Sequence, residues 1–352
     1  MIEKIEIKNY RGIEEISIDN FKKYNIFVGD NSSCKTSVME AIYSSLPNVR
    51  DGIITTANSR GMQVRLDNIH NFFYNADIKK EIQFILDDKI ITKINRKENN
   101  NVENEKIIEN IENNTISKNL MNMNVLNANM KYLYDILQKD KNNDKEHMDI
   151  SVMIDNFIQI LFQERINIKS GNYYGKSSWI TPLSKYQNDT AKVVKKIIEK
   201  KKKNELLKII NILEPEIDDI ISDGFEIQLS KNNAEKMLSL SSFGNGLSSI
   251  VTTTSSLVNN ETKILFIDEI EDGIHYLNYS KFCENLIKIT EILDIQLFIT
   301  THSKEFLEAF YDKLSNNEVT LYRFQKSKNK IKKIYYPKEK VLYAIKEGWD
   351  IR

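Results

Sequence analysis

The sequence has little of several features that define whole classes of protein. Only two cysteines occur among 352 residues, Cys34 and Cys283, so neither a disulfide framework nor a cysteine-based metal site is expected. No apolar run approaches the roughly 18 residues that a membrane span requires. An excess of one charge is also absent, because 50 basic residues balance 50 acidic ones. A balanced chain does not favour a nucleic-acid or membrane partner, although a local basic patch stays compatible with it.

The chain is long enough to bury a large core in one domain or two. Its first ten residues, MIEKIEIKNY, alternate apolar and charged side chains. Such alternation is typical of a half-buried strand rather than of a signal peptide. We therefore expect a cytoplasmic protein that has no membrane partner.

The most informative stretch runs from Asn25 to Ile42 and reads NIFVGDNSSCKTSVMEAI. A short apolar run, a turn-rich loop and apolar residues at helical spacing predict a strand, a loop and a helix in that order. This is the context of a Walker A phosphate loop, whose backbone N–H groups bind nucleotide phosphates. We assign Lys35 to the β- and γ-phosphates and Thr36 to Mg²⁺. The residues expected to line the nucleotide are Gly29, Asn31, Ser32, Ser33, Cys34, Lys35, Thr36 and Ser37.

The loop departs from the pattern G-x-x-x-x-G-K-[ST] at one position, where Cys34 replaces the second glycine. Glycine lets the backbone approach phosphate and adopt any φ, so the side chain of Cys34 must point away from the ligand. The alternative interpretation is a tight strand-to-helix turn that happens to contain Lys-Thr.

Two further strand ends carry residues suited to the same chemistry. The run Lys263–Asp268 predicts a buried parallel strand that ends in Asp268 and Glu269. Asp268 would hold Mg²⁺, and Glu269 would act as general base toward the attacking water. A second apolar strand ends just before His302, which would reach the γ-phosphate if the two strands are neighbours. Each motif alone also fits an ordinary strand that leads into a polar turn.

The middle of the chain differs from both ends in composition and in the spacing of its apolar residues. From about residue 96 to 117 it is rich in Asn, Glu and Lys, which favours a mobile surface loop or a weak helix. From Leu120 to about Leu213 the spacing predicts mostly helix, with a 3.6-residue stripe over Ser151–Arg165. Lys200–Lys203 invite a nucleic-acid interpretation, but a solvated stretch of helix explains them as well. We expect an N-terminal lobe over 1–95, a helical insertion over 96–235 and a C-terminal lobe over 236–352.

With five motifs in order, the chain resembles ABC-type ATPases of the SMC, RecF and OLD kind. It is most similar to the stand-alone AAA-type ATP-binding proteins of bacterial abortive-infection and anti-phage modules. The resemblance covers nearly the whole chain and is carried by these segments: KIEIKNYRGIEEISI, GDNSSCKTSVMEAI, LSSFGNGLSSIV, LFIDEIEDGIHY, FITTHSKEFLEAF and AIKEGWDIR. It implies an α/β fold, namely a P-loop ATPase head with mixed β-sheet lobes and a short helical insertion.

The resemblance also implies roles that spacing alone does not assign. Ser242, Gly244, Asn245 and Gly246 resemble the signature motif, which contacts the γ-phosphate bound by another subunit. The segment Asp272–His275 resembles the D-loop, and His302 resembles the switch histidine. Arg11 resembles the arginine that approaches the nucleotide after the first strand, whereas Gln63 is only a weak candidate for the Q-loop.

These roles imply an ATP- and Mg²⁺-dependent homodimer, or a higher oligomer, in which hydrolysis releases the two copies. OLD-type proteins carry a nuclease domain after the ATPase, but the 50 residues after His302 contain no Asp-x-Asp pair. We therefore expect a sensor ATPase of an anti-phage module that controls a separately encoded nuclease or toxin. Two alternatives remain. One is a RecF-like DNA-repair or DNA-clamp ATPase that binds duplex through Lys200–Lys203, and the other is a nucleotide-dependent scaffold with little turnover.

Overall fold

The computed structural model describes residues 1–46, 52–53, 55–57, 60–61, 69–97, 130–140, 146–154, 157–165, 174–180, 190–232, 236–243, 245–272, 274–315, 318–327 and 330–351. Its strands are β1 (Ile5–Tyr10), β2 (Ile13–Ile18), β3 (Tyr24–Val28), β4 (Ile82–Leu86), β5 (Ile90–Lys97), β6 (Met130–Asp140), β7 (Glu146–Ile154), β8 (Phe157–Arg165), β9 (Lys176–Ile180), β10 (Ile217–Ser222), β11 (Ile227–Lys231), β12 (Leu238–Ser239), β13 (Thr262–Ile267), β14 (Gln296–Thr300), β15 (Val319–Ser327) and β16 (Lys330–Tyr336). Its helices are α1 (Lys35–Ser45), α2 (Thr190–Glu199), α3 (Lys203–Leu213), α4 (Asn245–Asn260), α5 (Tyr279–Ile292), α6 (Lys304–Lys313) and α7 (Lys338–Lys346).

A mainly parallel sheet, in the order β16-β15-β3-β14-β13-β9, carries the predicted motifs. β3 pairs in parallel with β14 on one side and with β15 on the other, and β14 pairs in parallel with β13. The strand before His302 therefore lies between the strand before the phosphate loop and the strand before Asp268, so the condition set for the predicted γ-phosphate contact of His302 is met. Because parallel strands end at the same edge of a sheet, these three segments meet there.

The two faces of this sheet enter different hydrophobic cores, because successive side chains of a strand point to opposite faces. Leu265 and Ile267 of β13 pack against the helices of the C-terminal half. Phe266 of β13 and Phe298 of β14 point the other way, and their rings stack with centroids 5.1 Å apart. Burial on both faces explains why these strands are continuous apolar runs.

A second, antiparallel sheet in the order β2-β1-β4-β5-β6-β7-β8 covers the other side of α1. The β4–β5 hairpin turns at Asp87 and Asp88, and both residues have positive φ, of 50° and 55°. Apolar residues of β1, β2, β4 and α1 share one core with Phe27, Phe266 and Phe298 of the parallel sheet. The helix that follows the phosphate loop thus lies between two sheets.

The prediction of mostly helix from Leu120 to about Leu213, with its stripe over Ser151–Arg165, is wrong before residue 190, where the described elements are the strands β6 to β9. Ser151–Ile154 ends β7 and Phe157–Arg165 forms β8; these strands form an antiparallel pair, and β6 precedes them in the same sheet. Short apolar runs rich in Ile, Val and Phe fit a strand and a buried helix equally well, so spacing alone does not separate them. The Asp155-Asn156 pair between the runs is the turn signal that favours two strands. The predicted loop lies largely outside the described residues.

The helical prediction for 190–213 is confirmed, with a break between α2 and α3 at Lys200–Lys202, where Lys201 has a φ of 60°. β9, which falls inside the predicted insertion, pairs in parallel with β13. The division into three parts remains a prediction. In the part of the chain that the structure describes, no helix combines the length and apolar character needed to cross a bilayer.

Candidate nucleotide-binding site

The loop between β3 and α1 is held in an unusual backbone conformation. Gly29, Ser32 and Cys34 all have positive φ, at 139°, 63° and 72°. A Cβ atom on Gly29 would collide with the backbone carbonyl of Phe324 on β15, so this position requires glycine. Ser33, whose N–H donates to Asp30 O at 3.2 Å, is buried. Asn31 and Ser32 are exposed at the rim of the loop.

Lys35 is the first residue of α1, and its side chain folds back over the loop. Its Nζ donates to the carbonyl oxygens of Gly29 at 2.8 Å and of Asp30 at 2.9 Å. Burial lowers the pKa of Lys35, whereas the nearby carboxylates of Asp268 and Glu269 oppose that shift. The ammonium group of Lys35 is therefore already desolvated and directed at the loop, where it would bind a phosphate group.

Asp268 lies at the end of β13 and joins two hydroxyl groups from other elements. Its Oδ1 accepts from Thr36 Oγ1 at 3.0 Å and from Thr300 Oγ1 at 2.6 Å. A hydroxyl and a carboxylate are the hard oxygen ligands that Mg²⁺ prefers, and Mg²⁺ usually completes its shell with water and phosphate oxygens. The described residues include no group of three or more His, Cys, Asp or Glu that would form a protein-only cage. The Thr36–Asp268 pair therefore fits a magnesium ion shared with a nucleotide.

Glu269 follows directly and has a φ of 47°, which turns the chain away from β13. Its backbone N–H donates to the hydroxyl oxygen of Thr300 at 2.8 Å, so one hydroxyl group orders both acidic residues. The side chain of Glu269 is exposed. Partial burial, together with the charges of Asp268 and Glu271, raises the pKa of Glu269. A carboxylate whose pKa is raised is a stronger proton acceptor once it is ionised.

His302 follows β14 at the same edge of the sheet. Its backbone N–H donates to Oε1 of Glu271 at 2.5 Å, which links this turn to the segment after β13. Its neighbour Ser303 caps α6 by accepting from the N–H of Phe306 at 3.0 Å. The position of His302 beside the acidic turn is compatible with the predicted γ-phosphate contact.

Arg11 lies in the β1–β2 turn, and its side chain is 9% exposed. Its Nε is 2.8 Å from Oε2 of Glu40, a fully buried carboxylate on α1. Arg60 Nε donates to the other oxygen of Glu40 at 2.6 Å, and Arg60 Nη2 donates to Ser37 Oγ at 3.3 Å. Two arginines from separate segments thus hold the helix that carries Lys35 and Thr36. A contact between Arg11 and nucleotide remains a prediction.

Comparison with known proteins assigns the chain to a family. The sequence profile described as "AAA domain, putative AbiEii toxin, Type IV TA system" matches residues 24–308, which span the phosphate loop, Asp268 and His302. The chain belongs to this family. Together with the sheet order and the site, the match identifies an ABC-type P-loop ATPase fold.

Relatives of the chain are known over most of its length. It is 27% identical to an ATP/GTP phosphatase of Helicobacter pylori over 338 residues, which cover 88% of this chain and 87% of that protein. It is 24% identical to the DNA replication and repair protein RecF of Clostridium perfringens, over 89% of this chain and 96% of that one. The SMC head domain from Thermotoga maritima aligns over 96% of this chain and 98% of that one, with 11% identity and a TM-score of 0.48.

The segment that was predicted to be the signature motif is only partly described. Ser242 is exposed in a short 3₁₀ turn, Leu240–Ser242, just before α4. Leu240 and Phe243 on either side pack against the helical core, which anchors the turn. Asn245 and Gly246 begin α4, but their side chains, like Gly244, Gly273 and Gln63, lie outside the described residues. Small residues before a helix N-terminus agree with the predicted anion-binding turn.

The sequence did not single out Thr300, Glu271, Glu40 or Arg60. Thr300 is the last residue of an apolar strand, and a hydroxyl group beside two predicted strand-end carboxylates is a usable signal. Glu40 lies four residues after Thr36, on a helix whose other buried residues, apart from Lys35, are apolar or small. A charged residue at a core position calls for a partner, although sequence alone does not name it.

Proposed function

We propose that this protein binds and hydrolyses ATP with Mg²⁺, and that the hydrolysing unit is a dimer with ATP between its two copies. The observation that carries this proposal is the contact between Thr36 Oγ1 and Asp268 Oδ1 at 3.0 Å, beside Lys35 and Glu269. It brings a phosphate-loop hydroxyl and a strand-end carboxylate from 232 residues apart to one point. An ordinary strand-to-helix turn has no need of that arrangement.

In this proposal each residue of the site has a separate role. Lys35 and the loop N–H groups bind the β- and γ-phosphates, and Thr36 and Asp268 hold Mg²⁺, which neutralises charge on the transferred phosphoryl group. Glu269 orients the attacking water and accepts its proton, and His302 contacts the γ-phosphate from the next strand end. Thr300 keeps Asp268 and Glu269 in register with each other.

The dimer is supported by where the signature turn lies. Ser242 is exposed on its turn, where its hydroxyl group would meet the nucleotide of a second copy. A two-fold dimer makes each of the two sites from Lys35, Asp268 and Glu269 of one copy and Ser242 of the other.

ATP turnover and particle mass, followed together in the wild type and in Glu269→Gln, test this proposal. We expect turnover to fall by about 100-fold or more in the variant, since a lost general base costs roughly that much. An ATP-bound dimer should then accumulate in the variant, because ATP binding remains and release is blocked. Glu14→Gln, on the exposed face of β2, is the matched control and should behave as wild type.

If Glu269→Gln stays monomeric in ATP and Mg²⁺, the dimer proposal is wrong. If the wild type binds ATP tightly but turns none over, the nucleotide-dependent scaffold is the better function.

We further propose that the ATPase regulates a separately encoded nuclease or toxin of an anti-phage module, and acts in the cytoplasm. The support is the family description, which refers to a toxin of a toxin–antitoxin system. The second candidate is a RecF-like DNA-binding ATPase, which the relative from Clostridium perfringens favours. Against it, Lys202 and Lys203 are engaged with acidic residues of this chain, Glu261 and Asp219, rather than presented as a bare basic strip.

A further inference from the structure

The glycine at position 12 has no backbone reason to be glycine. It lies in the turn between β1 and β2, and its φ is outside the positive range that disfavours other residues. A side chain there would press on a neighbour, because a Cβ atom on Gly12 would lie 2.7 Å from the sulfur of Cys34, and one of the two would have to move. The next nearest atom, Nζ of Lys326, would be 3.6 Å away. The sulfur of Cys34 therefore occupies the space that the missing side chain leaves.

Cys34 presents the opposite situation. Its backbone is left-handed, with φ 72° and ψ 18°, at the position where the phosphate-loop pattern has glycine. A residue with a side chain is strained in this region, so something must hold it there. The thiol is half-buried and packs against the core cluster between the two sheets. Within the described part of the chain, the polar contact of the thiol is with Ser32 O at 3.9 Å, which is too weak to explain the strained conformation.

We propose that Gly12 and Cys34 form a matched pair, in which the seated Cys34 side chain is a positioning element that fixes the phosphate loop against the β1–β2 turn. Cys34 thus has a side chain at the position where the loop pattern has glycine, and Gly12, which has no side chain, leaves the space for it. This inference rests on the proposed nucleotide binding for its consequence, but the contact itself does not depend on it.

The pair connects two elements that are each predicted to contact the nucleotide, the β1–β2 turn with Arg11 and the phosphate loop. Arg11, next to Gly12, is joined to Glu40 of α1, and Cys34 immediately precedes Lys35 and Thr36. Movement of the β1–β2 turn therefore shifts the phosphate loop as well as the helix behind it. The role of the thiol is packing rather than chemistry, since burial raises the pKa of Cys34 despite the nearby charges of Lys326 and Arg60.

A double-mutant cycle tests the contact in the full-length protein without nucleotide. Gly12→Ala should lower the Tm by about 2–5 °C, because the added methyl group overlaps the sulfur. In a Cys34→Gly background the same substitution should change the Tm by less than half as much, since the sulfur is gone. Gly348→Ala, where nothing lies within 4 Å of the added methyl group, is the control and should be additive with Cys34→Gly. Additive effects of Gly12→Ala and Cys34→Gly would overturn the pair.

ATP affinity then tests the positioning role. Cys34→Ala keeps the strained backbone but loses the seated sulfur, so we expect its Kd for ATP to rise about fivefold or more. Gly12→Ala should weaken ATP binding similarly, and Gly12→Ala/Cys34→Gly should bind more tightly than Gly12→Ala alone. Wild-type affinity in Cys34→Ala would overturn the positioning role. If the wild type binds no ATP at all, the proposed function fails, while the Tm cycle still decides the contact.

Discussion

The phosphate-loop edge and the signature turn are two halves of one proposed site, and they differ in how this chain supports them. At the loop edge, Lys35 is 5% exposed and bonded to two carbonyl groups, and Asp268 accepts from two hydroxyl groups. At the signature turn, Ser242 is exposed, and the turn is held by apolar neighbours and by a bond from the N–H of Ser241 to Ser239 Oγ.

The difference shows which half is preorganised. The loop edge has its polar groups fixed by contacts within the chain, so binding a nucleotide there costs little ordering. The signature turn is anchored from below, while its polar surface faces outward. We interpret the first as a complete binding half and the second as a surface that gains its function from a second copy.

The largest effect is expected from breaking the loop edge itself. Gly29→Ala places a methyl group against the carbonyl of Phe324 at a φ of 139°, so either the loop or β15 must move. We expect the free energy of unfolding to fall by about 3 kcal/mol and ATP binding to be lost. Denaturant unfolding and ATP titration measure the two effects.

Gly348→Ala is the control for that substitution, because Gly348 also has positive φ, at 72°, but open space around it. Its cost should stay near 1 kcal/mol, with ATP affinity unchanged. Equal costs at the two glycines would show that backbone strain alone, rather than the contact with β15, sets the requirement at Gly29.

A smaller effect is expected from Thr300→Val, which keeps the shape of the side chain but removes its hydroxyl group. The N–H of Glu269 and the carboxylate of Asp268 each lose a partner, so we expect turnover to fall about 10- to 100-fold. ATP affinity should change much less, because the loop that binds the phosphates is untouched. Steady-state kinetics and ATP titration separate the two.

Thr254→Val is the matched control, since the Thr254 hydroxyl group is also buried but has no hydrogen-bond partner among the described residues. It should leave turnover at the wild-type level. A loss in Thr254→Val as large as in Thr300→Val would mean that packing, and not the bridging hydroxyl group, is responsible.

The smallest effect on a single copy is expected from Ser242→Ala. ATP binding to the monomer should match wild type, whereas turnover should fall about tenfold, since one γ-phosphate contact from the second copy is missing. ATP-dependent dimerisation, followed by mass, should weaken in parallel. Ser241→Ala, next to it on the same exposed turn, should retain both properties. Weakened ATP binding by the monomeric Ser242→Ala variant would contradict the division between the two halves.

Much of the loop edge was predictable because its signals are local. Turn residues between a buried strand and a helix predicted the phosphate loop, and the apolar runs ending at Asp268 and before His302 predicted parallel strands that end together. Burial on both faces then predicts parallel pairing, and this inference does not require knowing which strand is the neighbour. The roles of these residues in chemistry remain predictions.

Other features were not predictable, because they depend on pairing between distant residues. The run over Ser151–Arg165 has the right spacing for a helix, and apart from the Asp155-Asn156 turn signal only its antiparallel pairing shows that it is strand. Glu40 signals a buried charge, but its partners Arg11 and Arg60 come from segments 29 residues before it and 20 after it. Neither local sequence pattern indicates that Gly12 leaves space for the side chain of Cys34.

The position of β3 in the sheet has a consequence for how the protein is made. Both strands that flank β3 come from the last sixty residues, and Asn25 on β3 bonds to Thr320, 295 residues later. While the chain is still being synthesised, the strand that leads into the phosphate loop has neither neighbour, and Phe324 is not yet there to close over Gly29. Pairing between residues so far apart in the sequence is slow, because the entropy of closing a long loop is lost before the stabilising contacts form. The proposed nucleotide site is thus expected to be among the last parts of the protein to form.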